Sequence, residues 1–223
     1  MSEKLSESIM AGDPAPLGLA GFAFTTFLLS FVNSGIFGGA ASGTAWLAAS
    51  GTTADNMISL VIPLAFFWGG LAQFIAGLFE MRKGNTFGFT AFCSYGAFWL
   101  FVTFFFVFAL MGITTPALTT KEFGQAFGVT LILWGIFTLY MWIPAMHINL
   151  TLNLTFLLLW ITFFLLGAGD YLNQTGLVAL GGFVGIATAV VAAYGSFAIV
   201  TNSVLGVKRF PLGFAINILG KQN

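Results

Sequence analysis

Charge is what this 223-residue chain has least of: seven Lys and Arg, seven Asp and Glu, and a formal net charge of zero. That scarcity excludes nucleic acid as a partner, because no basic stripe is left to meet a phosphate backbone. Cysteine is rarer still. Cys93 stands alone, so neither an intrachain disulfide nor a cysteine metal cluster can form. His147, the one histidine, makes no His-based metal site. No metal and no other cofactor is expected. The chain also begins without the basic region and short apolar stretch of a signal peptide: Glu3, Lys4, Glu7 and Asp13 precede the first long apolar run. That run therefore reads as a retained helix.

The apolar runs dominate what is present. Uncharged intervals extend over 14–54, 56–79, 84–120, 123–169 and 171–207, each long enough for at least one helix of about 20 residues, the length that spans a hydrocarbon core. Mean hydropathy is +0.98, and 58% of residues are hydrophobic, too many for the polar coat of a soluble domain. The runs are continuous rather than alternating, which argues against a membrane β-barrel. The expected fold is an all-α integral membrane protein with six transmembrane helices: Leu17 to Phe37, Asn56 to Phe79, Thr86 to Ile113, Phe123 to Ile143, Ile148 to Ala168 and Thr175 to Leu205. A polar tail (1–13) precedes the six-helix region (14–207), and a short tail (208–223) follows it. Pro144 is expected to divide the fourth helix from the fifth, since proline breaks the backbone ladder. Trp46-Leu47, in the long first loop, is expected to dip into the interface.

Six spans put both termini on one side. Lys4, Arg82, Lys83, Lys208, Arg209 and Lys221 gather there, against Lys121 opposite. By the positive-inside rule that side is the cytoplasm, and the expected location is the plasma membrane. Ser94-Tyr95-Gly96-Ala97-Phe98 in the third helix is echoed by Ala193-Tyr194-Gly195-Ser196-Phe197 in the sixth. Read as a repeat, the echo implies two inverted three-helix halves around a central pathway. In a chain with 28 glycines and 28 phenylalanines, chance yields such an echo as well.

No Ser-His-Asp arrangement, paired carboxylates or phosphate loop lies within a span, so an enzyme is not expected. The carboxylates Asp13, Asp55, Glu80, Glu122 and Asp170 all fall at predicted helix ends. Ion-coupled carriers usually mark their path with a mid-membrane charge, so whatever crosses here passes neutral groups. Thr25, Thr26, Ser30, Asn33, Gln73, Thr90, Ser94, Tyr95, Asn153, Thr188, Tyr194 and Ser196 supply polar atoms inside the helices. They fit hydrogen bonds to a small solute, or the local and interhelical bonds by which such residues hold helices together. Tyr95 offers both a ring for a constriction and a hydroxyl for a solute. Asp13, before Pro14, suits a helix cap, and the same helix end suits a substrate anion.

Two stretches go further. Asp13-Pro14-Ala15-Pro16-Leu17-Gly18-Leu19 with Thr25-Thr26 after it, and Gly84-Asn85-Thr86-Phe87-Gly88 leading to Ser94-Tyr95-Gly96-Ala97-Phe98-Trp99, closely resemble the acetate uptake transporter family, which includes the succinate-acetate permeases. The resemblance covers residues 13–207. It implies a six-helix protomer in a homohexameric ring that passes acetate, other small monocarboxylates or succinate through each protomer. By motif position it implies a constriction of Phe22, Tyr95 and Leu159, and it puts Ala192 at a position tied to substrate selection. Thr25, Thr26, Ser94 and Tyr95 would receive the substrate's oxygens. The chain departs from the family where Asp13 replaces the signature's first Asn, and where Val32 replaces a histidine of some bacterial relatives. An ionised Asp13 would repel carboxylates at the mouth. Burying a bare carboxylate is costly enough that it tends to neutralise, so acetic acid, or acetate with a proton, is the species expected at the gate. Two other classes fit less of the sequence: a carboxylate-binding membrane sensor, and a facilitator for water, glycerol or ammonia.

Overall fold

The computed structural model describes residues 12–36, 53–113 and 120–216, which form helices and no strand. Six of these helices are long and apolar enough to cross a membrane. Helix α1 is Ala15–Ser34. Helix α2 is one rod of three windings: Thr53–Leu64, a π-helical stretch Ala65–Ala72, and Gln73–Arg82. Then follow α3, Thr86–Leu110, α4, Thr120–Met146, α5, Leu150–Leu172, and α6, Thr175–Leu205. Trp46-Leu47 lies outside the described residues.

The ends differ from expectation in two informative places. Helix α4 runs through Pro144 to Met146, because a proline in the last turn forfeits only one ladder bond, and its own carbonyl accepts the His147 N–H at 3.0 Å. Helix α2 continues past Phe79 to Arg82, which draws Glu80 into the helix. Its π-helical winding follows Pro63 and brings two glycines against α3. A Cβ on Gly69 would fall 2.8 Å from the Trp99 ring, and one on Gly70 2.7 Å from Leu100.

Consecutive helices alternate in direction and pack where side chains are smallest, the usual device for association in lipid. The end of α1 meets the start of α6 so closely that a Cβ on Gly182 would lie 2.3 Å from Ser34 N. In the same way Gly128 and Gly167 seat α4 on α5, each facing the other's carbonyl (2.6 and 2.8 Å). Helices α3 and α4 instead meet through rings. Phe98 reaches Trp134 at 5.1 Å, and Phe105 stacks on Phe123 at 4.3 Å and on Phe127 at 4.9 Å. The echoed tyrosines sit in unlike surroundings: Tyr95 is buried, whereas Tyr194 is 38% exposed. Large apolar side chains such as Phe67, Leu133, Phe183 and Val190 face outward, as a lipid-facing or subunit-facing surface requires.

After α6 the chain reverses at Gly206, where φ is +65°, a left-handed conformation that glycine adopts at little cost. Residues 208–216 then fold back as a strap across the end of the bundle where α1 begins and α6 finishes. Asn202 accepts from Phe210 N at 2.9 Å and donates to Phe210 O at 2.8 Å. Tyr194 donates its hydroxyl to Pro211 O at 2.7 Å. Thr151 donates both N–H (3.0 Å) and hydroxyl (2.9 Å) to Leu212 O, and Ile216 N–H reaches Met146 O at 2.7 Å.

Candidate functional site

The first motif builds one wall of a cavity in the bundle. Asp13 Oδ1 accepts the Ala15 N–H at 3.1 Å, satisfying one of the orphan donors at the start of α1. The Pro16 carbonyl accepts the Ser196 hydroxyl at 2.7 Å and ties α1 to α6. A Cβ on Gly18 would lie 2.7 Å from the Phe92 ring, so this glycine lets α3 close on α1. Leu19 and Phe22, on the same face as Ala15, then point into a cavity.

The second motif has an equally local logic. Gly84 takes φ +78° in the α2–α3 turn, and Asn85 caps α3 by accepting the Gly88 N–H at 3.1 Å. Phe87 packs on Phe156 of α5, ring centroids 5.3 Å apart. Gly88 leaves room for a buried polar pair: the Asn85 amide nitrogen donates to Glu80 Oε2, and a Cβ on Gly88 would fall 2.6 Å from the first and 2.9 Å from the second. Lys83 in the turn bonds Asp13 at 2.9 Å. Asp13 in turn pushes the Lys83 ammonium above the usual lysine range. The acidic residue at the head of the first motif therefore has its counter-charge beside it.

Two cavities lie along the bundle axis. The terminal cavity, at the end where α1 begins and α6 finishes, has a volume of ≈ 80 Å³ and is walled by Leu19, Phe22, Gln73, Asn85, Tyr95 and Leu159, with Thr151, Thr155 and Leu212 among its other residues. The distal cavity, ≈ 40 Å³, is walled by Phe22, Thr26, Ser30, Trp99, Leu159 and Asp170 among others. Each has room for a few water-sized groups. Phe22 and Leu159 are the residues the two cavities share. Tyr95 leans against Phe22, centroids 5.7 Å apart, within a ring cluster that includes Phe137 and Phe156 at 5.5 and 6.0 Å.

The residues singled out from the sequence divide by helical phase. Phe22, Tyr95 and Leu159, exposed 5%, 3% and 3%, all line the terminal cavity, and Phe22 and Leu159 line the distal one as well. The Tyr95 hydroxyl is already engaged with Thr138 Oγ1 at 2.9 Å. Thr26 lines the distal cavity, and its hydroxyl has no hydrogen-bond partner among the described residues. Thr25 is fully buried on the next face, with its hydroxyl toward Gly69 of α2. Thr25, Ser94 and Ala192 line neither cavity. Residues the sequence did not single out for the path include Phe156, Asn85, Thr155 and Trp99, and the Trp99 indole N–H is likewise unpartnered. Gln73, read as one polar atom source among many, contributes an unpartnered Oε1 at the terminal cavity. Spacing on α5 relative to Leu159, three and four residues back, is the signal that would have found Phe156 and Thr155.

Residues 4–213 match the family described as the GPR1/FUN34/yaaH family. The succinate-acetate/proton symporter SatP of Escherichia coli (strain K12) is 34% identical over 201 residues, covering 90% of this chain and 95% of the relative. Ammonia transport outward protein 2 of Saccharomyces cerevisiae is 37% identical over 205 residues, covering 90% of this chain and 66% of the yeast protein. Among solved structures, that of the bacterial acetate channel SatP matches with a TM-score of 0.77 at 34% identity, covering 91% of this chain and 99% of the other.

Proposed function

The chain belongs to the GPR1/FUN34/yaaH family, and from that premise we propose that it moves acetate, and small carboxylates such as succinate, across the plasma membrane through each protomer. The observation that carries this reading is the pair of cavities meeting at Phe22 and Leu159, with Tyr95 against them. An axial path with one apolar waist suits a solute small enough to pass between side chains.

The waist selects the protonation state of what passes. An ionised carboxylate leaving water for a ring of Phe, Tyr and Leu meets no donor to replace its hydration, a cost of several kcal/mol even where some compensation occurs. Acetic acid, or acetate escorted by a proton, avoids most of that cost. Beyond the waist the distal cavity offers the unpartnered Thr26 hydroxyl and Trp99 indole N–H. On the terminal side Gln73 Oε1 is an unpartnered acceptor for a carboxylic O–H. In this reading Phe22, Tyr95 and Leu159 are the constriction, and Thr26 is the substrate-binding residue among the hydroxyls named from sequence. The basic residues near the termini orient the terminal cavity toward the cytoplasm. The outward apolar faces suit a homohexamer as well as lipid.

The deciding experiment is uptake of labelled acetate into liposomes carrying the full chain, with and without an inward proton gradient, beside Tyr95→Ala. Accumulation that requires the gradient identifies a proton-linked transporter. Equilibration without it identifies a channel. Ammonia is the second reading, favoured by the name of the yeast relative; ammonia flux without acetate flux would replace the first reading with it, and a protein that binds acetate but passes nothing would be a sensor.

A further inference from the structure

One buried carboxylate has no part in the path described so far. Glu80 is 0% exposed, in the last turn of α2, directly behind the wall that Asn85 and Gly88 give the terminal cavity. Asn85 donates to its Oε2. Its Oε1 has no hydrogen-bond partner among the described residues and faces Lys83 Nζ at 4.0 Å, while that ammonium is held at 2.9 Å by Asp13. The charged groups facing Glu80 are thus Asp13, ahead of α1, and Lys83, in the α2–α3 turn. At the start of α3, its cap Asn85 and the bare backbone of Gly88 face the carboxylate. A carboxylate so placed has a direct hydrogen bond at one oxygen, while at the other the ammonium stands too far for one and is shared with a second carboxylate.

Asn85 connects this group to the cavity. Its carbonyl oxygen is committed to capping α3. Its amide nitrogen carries two hydrogens, one given to Glu80, and the residue itself lines the terminal cavity. A carboxylate drawn to the second hydrogen stands across one amide group from Glu80, where two like charges cannot both remain ionised at small cost.

We propose that Glu80 is the proton-binding residue that links carboxylate entry at the terminal cavity to uptake of one proton. The proton comes from water at that end of the bundle, lodges on Oε1, and returns to water when the carboxylate has left. Glu80 touches no substrate; it acts through the Asn85 amide and is a positioning residue. The linkage rests on the reading that this chain moves small carboxylates.

The test is acetate counterflow in liposomes carrying the full chain, at equal pH on both sides, with half-saturation measured across acid to neutral pH. In the wild type the half-saturating acetate concentration rises with pH, toward about tenfold per unit when one proton binds with each acetate. In Glu80→Gln, which keeps an acceptor for Asn85 but cannot titrate, the dependence flattens; in Glu80→Asp it persists with its midpoint moved. Equal slopes in wild type and Glu80→Gln would overturn the linkage alone, since the proton would then travel on the substrate as acetic acid. Absence of acetate flux in the wild type would overturn the transport reading and the linkage with it. Should Glu80→Gln not assemble, acetate-induced proton uptake in weakly buffered detergent solution decides between wild type and Glu80→Asp. Separate midpoints support the proposal, and superposable curves overturn it.

Discussion

The two cavities share Phe22 and Leu159 but differ in how many of their polar groups are already spent. At the terminal end Asn149 Oδ1 accepts the Leu152 N–H, Thr151 donates its hydroxyl to Leu212 O, and Thr155 donates its hydroxyl to Thr151 O. These bonds cap α5 and hold the strap, so the α5 side of that wall is architecture, and Gln73 Oε1 opposite it is left without a partner among the described residues. At the distal end the Thr26 hydroxyl and Trp99 indole N–H have no partner among the described residues, although each sits on a buried residue. Unsatisfied polar atoms inside a membrane protein are costly, and both of these belong to residues that line the distal cavity. The difference makes the distal polar atoms the ones whose removal should tell most on passage.

Removing the divider breaks the comparison outright. Phe22→Ala joins the two cavities and strips a buried ring from a cluster with Tyr95. The expected cost is about 3 kcal/mol of stability, read as a lower melting temperature in detergent. The same liposomes should lose discrimination between acetate and bulkier carboxylates, because no waist remains.

Thr26→Val sharpens it at the distal end. The change is close to isosteric and removes an unpartnered hydroxyl, so stability should hold or rise slightly. Acetate half-saturation should weaken by about fivefold, the worth of one hydrogen bond near 1 kcal/mol. Thr155→Val is the matching change at the terminal end. Its hydroxyl only bonds back to its own helix at 2.8 Å, and such a bond contributes little, so half-saturation should move by less than about twofold. Equal effects at Thr26 and Thr155 would erase the distinction between the two walls.

Much of this was legible beforehand, and the failures have physical reasons. Unbroken apolar runs are enough to place six spans, and α6 has the bounds expected for it, Thr175–Leu205. The motifs draw attention to Phe22 and Tyr95, and the structure buries both against the terminal cavity. Helical phase was the obstacle elsewhere. Thr25 and Thr26 are one residue and roughly a quarter turn or more apart, which sends one into α2 packing and the other into the distal cavity. Ser94 beside Tyr95 divides in the same way. Charge near a helix end reads as interfacial, yet Glu80 is wholly buried, because the extra turn of α2 and the Gly88 gap are visible only in three dimensions. The strap was read as a short polar tail; its anchors, Asn202, Tyr194 and Thr151, are dispersed over α5 and α6.

The smallest effect concerns the acidic residue that heads the first motif. On sequence alone Asp13 threatens to repel a carboxylate, but it lies 2.9 Å from Lys83, with side chains 39% and 49% exposed respectively. An exposed pair of this kind is worth under about 1 kcal/mol, and its field beyond the pair is close to that of a neutral group. Asp13→Asn keeps an oxygen for the Ala15 N–H, so acetate uptake at ordinary ionic strength should change by less than about twofold. Lys83→Met should act more strongly, because it leaves the Asp13 charge unopposed beside the terminal cavity. Its half-saturation should rise at low salt and return toward wild type as salt screens the charge. If the two variants behaved alike and neither responded to salt, the terminal end would contribute shape and hydrogen bonds to passage, and no field.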